Sequence, residues 1–481
     1  MKTNNLKNNS GIILLNTLVF GMVAVMLIVA LSSWFTVTYR GSRKVIDEEQ
    51  AFHIAEAGIE YYRWHLAHAP QDFTDGNAAN VAQPYKHDFF DKNDEKIGEF
   101  ELTIIAPESG STLVTVESKG ILDASGVSKT IRAEFAKPTF AKYAFISNEN
   151  IRLGEGTEVF GLIHSNEGVR FEGVAHNLVT SAQTTYDDPD HGGAKEWGVH
   201  THVDPVDPMP NTPLPNRFDI FQSGREVGVP AIDFDGLTAT MADLKSKAQA
   251  DGRYHGSSGK SGYNLVLKTN GTYQLYKVNS LINPSNSCNN ALGQPDWGSW
   301  SINKRSLVGT YQMPDNGVIF LEDHVWVEGQ IDEERLTIVA ARFPEAPGQY
   351  RNIIINKDIL YSNMDGQDVL GLIAQGDINI GMYSDDVLDI HAAMIAKNGR
   401  IGRYYYRPPS NNNGCSPYHT RNTINVYGMI GTNGRYGFAY TDDTGYINRN
   451  VTYDANLLYN SPPEFPLTAD QYEIISWEEL D

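Results

Sequence analysis

The chain has 481 residues, 41% of them hydrophobic and 20% charged, so it can bury large cores and is too long for one ordinary domain. Its net charge is −21, and the first 44 residues hold five basic residues and no acid, which leaves −26 on the remainder. A body that acidic repels nucleic acid, whose phosphates need clustered Lys and Arg. Abundant Gly (43) and Tyr (25) favour β-structure with many turns.

Residues 12–35 read IILLNTLVFGMVAVMLIVALSSWF and carry no charge. At 1.5 Å per residue they reach about 36 Å as a helix, enough to cross a bilayer. Trp34 and Tyr39 suit an interface, followed by Arg40, Arg43 and Lys44. A cleaved signal peptide is the competing reading, but no small-residue cleavage site follows. Lys2 and Lys7 balance the basic residues beyond the span, so charge leaves orientation open. Phe52, Ala55, Ile59, Tyr62 and Leu66 then form a 3-4-3-4 stripe, which predicts that the helix continues to about residue 67 before Ala69-Pro70 ends it, with Gly41-Ser42 as the expected bend.

Residues 68–138 read as a small antiparallel head. After a polar stretch over 71–97, runs at 98–105, 111–119 and 127–135 show period-two alternation and turn signals. From 139 to 481 the texture changes to short apolar alternations such as Val318–Phe320, Ile353–Ile355 and Ile378–Ile380, with Gly, Asn and Asp between them. Many short strands with such corners suit an irregular, right-handed β-helix-like solenoid better than a sandwich. Residues 183–300 read as an insertion. It contains a Pro-rich run over 204–215, a helix over 237–250, and a hairpin about Asn270-Gly271. The fold class is therefore mainly β: a long transmembrane α-helix with a small sheet, α+β, then a β-solenoid.

These features resemble a known family. A basic segment over 1–11 ending in Gly11, before a stretch opening Ile12-Ile13-Leu14-Leu15, resembles a type IV prepilin. Residues 50–60, QAFHIAEAGIE, resemble the corresponding stretch of PilX-type minor pilins. The runs at 153–166, 370–380 and 453–466 resemble a β-helical module fused behind such N-termini. The resemblance implies cleavage between Gly11 and Ile12. It also implies packing of the helix, through Asn16, Phe52, Ala55, Ile59 and Tyr62, against other pilins or pilus assembly proteins. Where pilins usually carry Glu at the fifth mature position, this chain has Asn16, which cannot pair with a neighbour's terminal amine. That departure points to a tip, initiating or sparsely used subunit.

The chemistry-bearing residues form no enzyme pattern. Gly256-Ser-Ser-Gly-Lys-Ser261 lacks the first P-loop glycine, whose place Tyr254 takes. No catalytic, cofactor-binding or metal-ligating set is expected. His200 and His202, with Asp187, Asp188, Asp190 and His191 upstream, read as a solvated polar loop. Asp385, Asp386, Asp389, Asp442 and Asp443 read as acidic turns, with calcium the one cofactor they suit. Arg342, Arg351, Arg400, Arg403 and the Tyr404-Tyr405-Tyr406 run are candidates for glycan or protein contact. Cys288 and Cys415, both in polar turns, are either a disulfide or two unrelated thiols. The expectation is a non-catalytic minor-pilin-like subunit, single-pass in the cell membrane, with its body outside the cytoplasm. The alternative is a membrane-anchored surface β-helix that binds or acts on polysaccharide.

Overall fold

The computed structural model describes residues 10–108, 110–409 and 414–480; Lys2 and Lys7 lie outside them. The chain divides into two compact units. The first comprises residues up to 106, 114–135 and those from 476 onward; the second comprises 107–113 and 136–475.

In the first unit one helix runs unbroken from Ser10 to His68, through Gly41-Ser42. Its C-terminal half docks on a sheet of five strands, in the order Tyr85–Phe90, Lys96–Ile105, Val114–Leu122, Ser128–Ala136 and Glu473–Leu480, of which the first four are mutually antiparallel. Ala51, Ile54, Ala55, Ile59, Tyr62 and Leu66 are buried, and Phe100, Leu102, Val116 and Ala133 face them from the sheet side. Glycine allows the close approach. A Cβ at Gly120 would overlap the Ala51 carbonyl oxygen and the Ala55 nitrogen, and one at Gly58 would overlap Ser118 Oγ. The three expected strands are present. The other two are not expected from sequence: Tyr85–Phe90 falls in the stretch read as polar, and Glu473–Leu480 is assigned to the solenoid. Both are sheet edges with mostly polar or half-buried positions, so neither shows a buried alternating face.

The second unit is a solenoid of three parallel ladders. In one ladder Ile319, Ile338, Leu372, Met394, Ile430, Phe145, Ile163 and Val179 stand in register, all inside the coil. In the second, Val325, Ile353, Ile378 and Ile401 align; in the third, Gly329, Ile359, Ile390, Val426 and Val451. Each coil covers the next, so residues between turns need only two or three apolar positions per side.

The order of coils is not the order of the chain. The run that starts at Tyr143–Ser147 climbs through Leu162–Ser165 and Val179–Ser181 to Arg225–Val227. The chain then returns to the far end, at Arg253–His255, and works back through strands at 318–321, 335–340, 369–374 and 387–396 until Thr420–Thr432 pairs with Tyr143–Ser147. The return carries the helix Leu237–Ala250, as expected. Its buried stripe, Leu237, Met241, Leu244 and Ala248, covers Phe320 and Val339 on the outer face of the ladder. Side-chain amides mark one corner. Asn148 donates to Asn433 Oδ1 and Asn166 to Asn148 Oδ1, both at 2.8 Å.

Residues 183–300 are therefore not simply an insertion. Val199–His200, Arg225–Val227, Arg253–His255 and Gly262–Lys268 each pair in parallel with solenoid strands. The hairpin about Asn270-Gly271 is present, with Gly271 at φ +71° and Lys268 opposite Thr272. Cys288 and Cys415 form a disulfide across 127 residues. Tyr404, Tyr406, Met382, Trp297 and Trp300 pack around it.

Candidate functional site

Two surfaces stand out, one in each unit. In the first, every helical position from 11 to 46 is exposed, and the helix is long and apolar enough to cross a membrane. Ile12, Leu15, Met26 and Trp34 are each more than 60% exposed. A contiguous apolar surface of this size needs lipid or protein around it. Two of its hydroxyls bond within the helix: Thr17 donates to the Ile13 carbonyl at 2.9 Å, and Thr36 to the Ser32 carbonyl at 2.8 Å. Beyond its first turn the helix also pairs its own backbone groups, as a lipid-facing segment requires. Gly11 has no atom within 4 Å of where a side chain would begin, and Asn16 is exposed.

The other residues expected to pack on neighbouring subunits lie elsewhere. Ala55, Ile59 and Tyr62 are at most 2% exposed, inside the chain's own head. Tyr62 donates to the Asp72 carbonyl at 2.9 Å. This corrects their assignment as neighbour contacts. An apolar stripe on a helix is the same in sequence whether it meets a partner helix or its own sheet, and here the sheet takes it. Phe52, half-buried at the edge, meets the Trp477 ring at 5.8 Å.

In the second unit an open groove of about 2030 Å³ runs along the solenoid. Arg152, Arg351, Arg400 and Arg435 reach it, with Trp300, Tyr404 and Tyr436 among its walls. Arg400 lies 5.5 Å from the Tyr404 ring, and its backbone N–H donates to Asp377 at 2.8 Å. His324 faces the same groove, and burial pushes its pKa down to about 4. Of the four arginines singled out in sequence, Arg351 and Arg400 line the groove. Arg342 does not line it. Arg403 is fully buried, and its guanidinium serves Ser384 Oγ and the carbonyls of Gly381, Met382 and Tyr418. Burial lowers its pKa, and the surrounding carbonyls hold the cation in place. The tyrosine run is largely structural too: Tyr404 and Tyr406 are 3% and 1% exposed, and Tyr405 donates to Asp442 at 2.8 Å.

The acidic turns suited to calcium are engaged by the chain itself. Asp385 pairs with Lys357, Asp389 accepts from Asn425 at 2.6 Å, and Asp442 accepts from the Thr444 hydroxyl at 2.7 Å. Trp300, His324, Tyr436 and Arg435 were not legible as groove residues. They come from segments far apart in sequence, and only the parallel register brings them together.

No protein-family model and no curated protein matches the chain. Among solved structures, it is similar to the competence-associated pilin ComZ from Thermus thermophilus, at 15% identity over 90% of this chain and 97% of that one, with a TM-score of 0.29.

Proposed function

We propose that this chain is a non-catalytic, minor-pilin-like subunit of a type IV pilus or related secretion filament, which displays the solenoid outside the cell. The observation that carries this reading is the division of one continuous helix. Residues 11–46 are exposed and carry no charge over 12–35, while Ala51, Ile54, Ala55, Ile59, Tyr62 and Leu66 are sealed against the chain's own sheet. Such a helix anchors a head and leaves its free half to lipid or to neighbouring helices. The Gly11-Ile12 junction and the alanine-rich stretch at 50–60 support the same reading. Asn16 favours a tip, initiating or sparsely used position over the bulk subunit, because it cannot neutralise a neighbour's amine in an apolar filament core. N-terminal sequencing of native material tests it: a mature chain starting at Ile12 that co-purifies with a major pilin is expected. Unprocessed chains in cells with an active prepilin peptidase, absent from sheared filaments, would overturn it.

A second reading is a membrane-anchored surface protein that binds polysaccharide, and the groove favours it. Arginines beside aromatic rings suit acidic sugars. Binding of acidic polysaccharide that weakens in Arg400→Ala supports that role for the groove, and it is compatible with display from a filament.

A further inference from the structure

The segment 185–202 is built onto solenoid strands and is not a free loop. Thr185–Tyr186 pairs antiparallel with Glu196–Trp197, and Val199–His200 runs parallel to Val169–Phe171 with His200 opposite Arg170. This frame gathers Asp188, His191, Glu196, His200 and His202 into two sets that share His202. Asp188, His200 and His202 form one, and His191, Glu196 and His202 the other. The ligand atoms within each set lie within 4.8 Å of one another. Among the described residues no other group of three or more such side chains meets this condition.

The orientation of His200 is the decisive observation. Its side chain is 0% exposed. Its Nδ1 lies 3.2 Å from the Trp197 carbonyl oxygen. Nδ1 therefore carries the proton and donates, which leaves a lone pair on Nε2. That Nε2 has no hydrogen-bond partner. It faces Asp188 Oδ2 at 3.6 Å, on a carboxylate that is itself 3% exposed. A buried lone pair directed at a buried carboxylate oxygen is unfavourable unless a cation joins them. Arg170 donates to the same oxygen at 3.2 Å, but it also pairs with Glu172 and offers nothing to His200. Asp188 Oδ1 is taken by the Asp190 N–H at 2.9 Å.

The spacings match a metal. His191 Nδ1 is 3.3 Å from Glu196 Oε1, and His202 Nε2 is 3.7 Å from the same oxygen. Tetrahedral zinc, with bonds of about 2.1 Å, sets its ligand atoms about 3.4 Å apart. A ligand set of imidazoles and carboxylates suits zinc-class divalent ions over calcium or magnesium, which prefer all-oxygen shells. The Nδ1–H to carbonyl bond of His200 is the support that metal-bound histidines commonly receive.

We propose that Asp188, His200 and His202 bind one divalent transition-metal ion of the zinc class, with the buried Glu196 and the exposed His191 positioning His202. The ion would tie the turn that carries Asp188 to the strand Val199–His200, which itself pairs with Val169–Phe171.

The test uses the full chain in detergent, stripped with a chelator and titrated with Zn2+ alone, with bound metal counted and Co2+ used as a spectroscopic stand-in. One equivalent of Zn2+ is expected, with the visible bands of four-coordinate Co2+. His202→Ala, which removes the shared ligand, should weaken binding at least about tenfold and abolish the Co2+ bands. His191→Ala guards against a folding artefact, because its side chain is 45% exposed; binding should weaken there while the fold is kept. Absence of a stoichiometric ion in the wild type, or unchanged affinity in the variants that fold, overturns the proposal.

Discussion

Ile59 and Val29 lie on the same unbroken helix in opposite surroundings, at 2% and 59% exposed. Replacing Ile59 by Ala removes a side chain sealed between the helix and its sheet. Such deletions cost about 2–5 kcal/mol, of which the better helix propensity of Ala returns a few tenths. A net loss of about 2 kcal/mol raises the local opening constant roughly 30-fold. Val29→Ala shortens an exposed side chain outside the docked half of the helix, so the head should not register it. The assay is amide hydrogen exchange of the full chain in detergent, read on Val114–Leu122, the strand over which the helix passes. Faster exchange there in Ile59→Ala but not in Val29→Ala is expected. Equal effects of the two changes, or a silent Ile59→Ala, would refute the division of the helix into a docked half and a free half. It would also remove the observation on which the proposed function rests.

Three further outcomes follow from the packing. Gly120→Ala should destabilise the head by about 1–3 kcal/mol, although Ala normally improves a strand by about 0.5–1 kcal/mol, because its Cβ would meet the helix backbone; the same exchange measurement reads the sign. Reducing Cys288–Cys415 frees a loop of 127 residues and should cost the solenoid about 5 kcal/mol by loop-closure entropy; an unchanged melting temperature in reductant would contradict this. The solenoid should also weaken in acid. His324 Nδ1 accepts the Asn352 N–H at 3.0 Å, and its pKa is about 4 against 6.5 when unfolded. The unfolded chain therefore takes up the proton first, so stability is intact above about pH 6.5 and falls between 6.5 and 4. The loss is at most about 3 kcal/mol, and His324→Gln should flatten the profile in denaturant titrations at stepped pH.

Local chemistry was legible in the sequence, and pairing was not. The helix span, the helix over 237–250 and the Asn270-Gly271 hairpin carry their signals within a few residues. The solenoid texture was also readable, because each coil repeats a short alternation. What could not be read was which segments pair. Tyr85–Phe90 and Glu473–Leu480 are edge strands, so neither displays a buried alternating face. His200 looked like part of a polar loop because its burial depends on Val169–Phe171, whose register no local pattern encodes. The stripe from Phe52 to Leu66 was plain in sequence, but its partner was not, since a helix face states only that something apolar covers it.

The coil order makes the early and late parts of the solenoid depend on each other. Tyr143–Ser147, the first coil of the unit, is covered on one side by Leu162–Ser165 and on the other by Thr420–Thr432. The Asn148–Asn433 bond in the amide corner spans 285 residues. Until the last coils form, the first presents an open row of backbone donors and acceptors, a template for wrong pairing. Once they form, no internal edge remains at that junction, because the two runs close on each other through Ile430 and Phe145 inside and through the Asn433–Asn148–Asn166 amides at the corner. The early and late parts of the solenoid thus stabilise each other directly. Losing either run would uncover the same coil, so the groove between them, lined by residues from Phe145 to Thr452, exists only when both are folded.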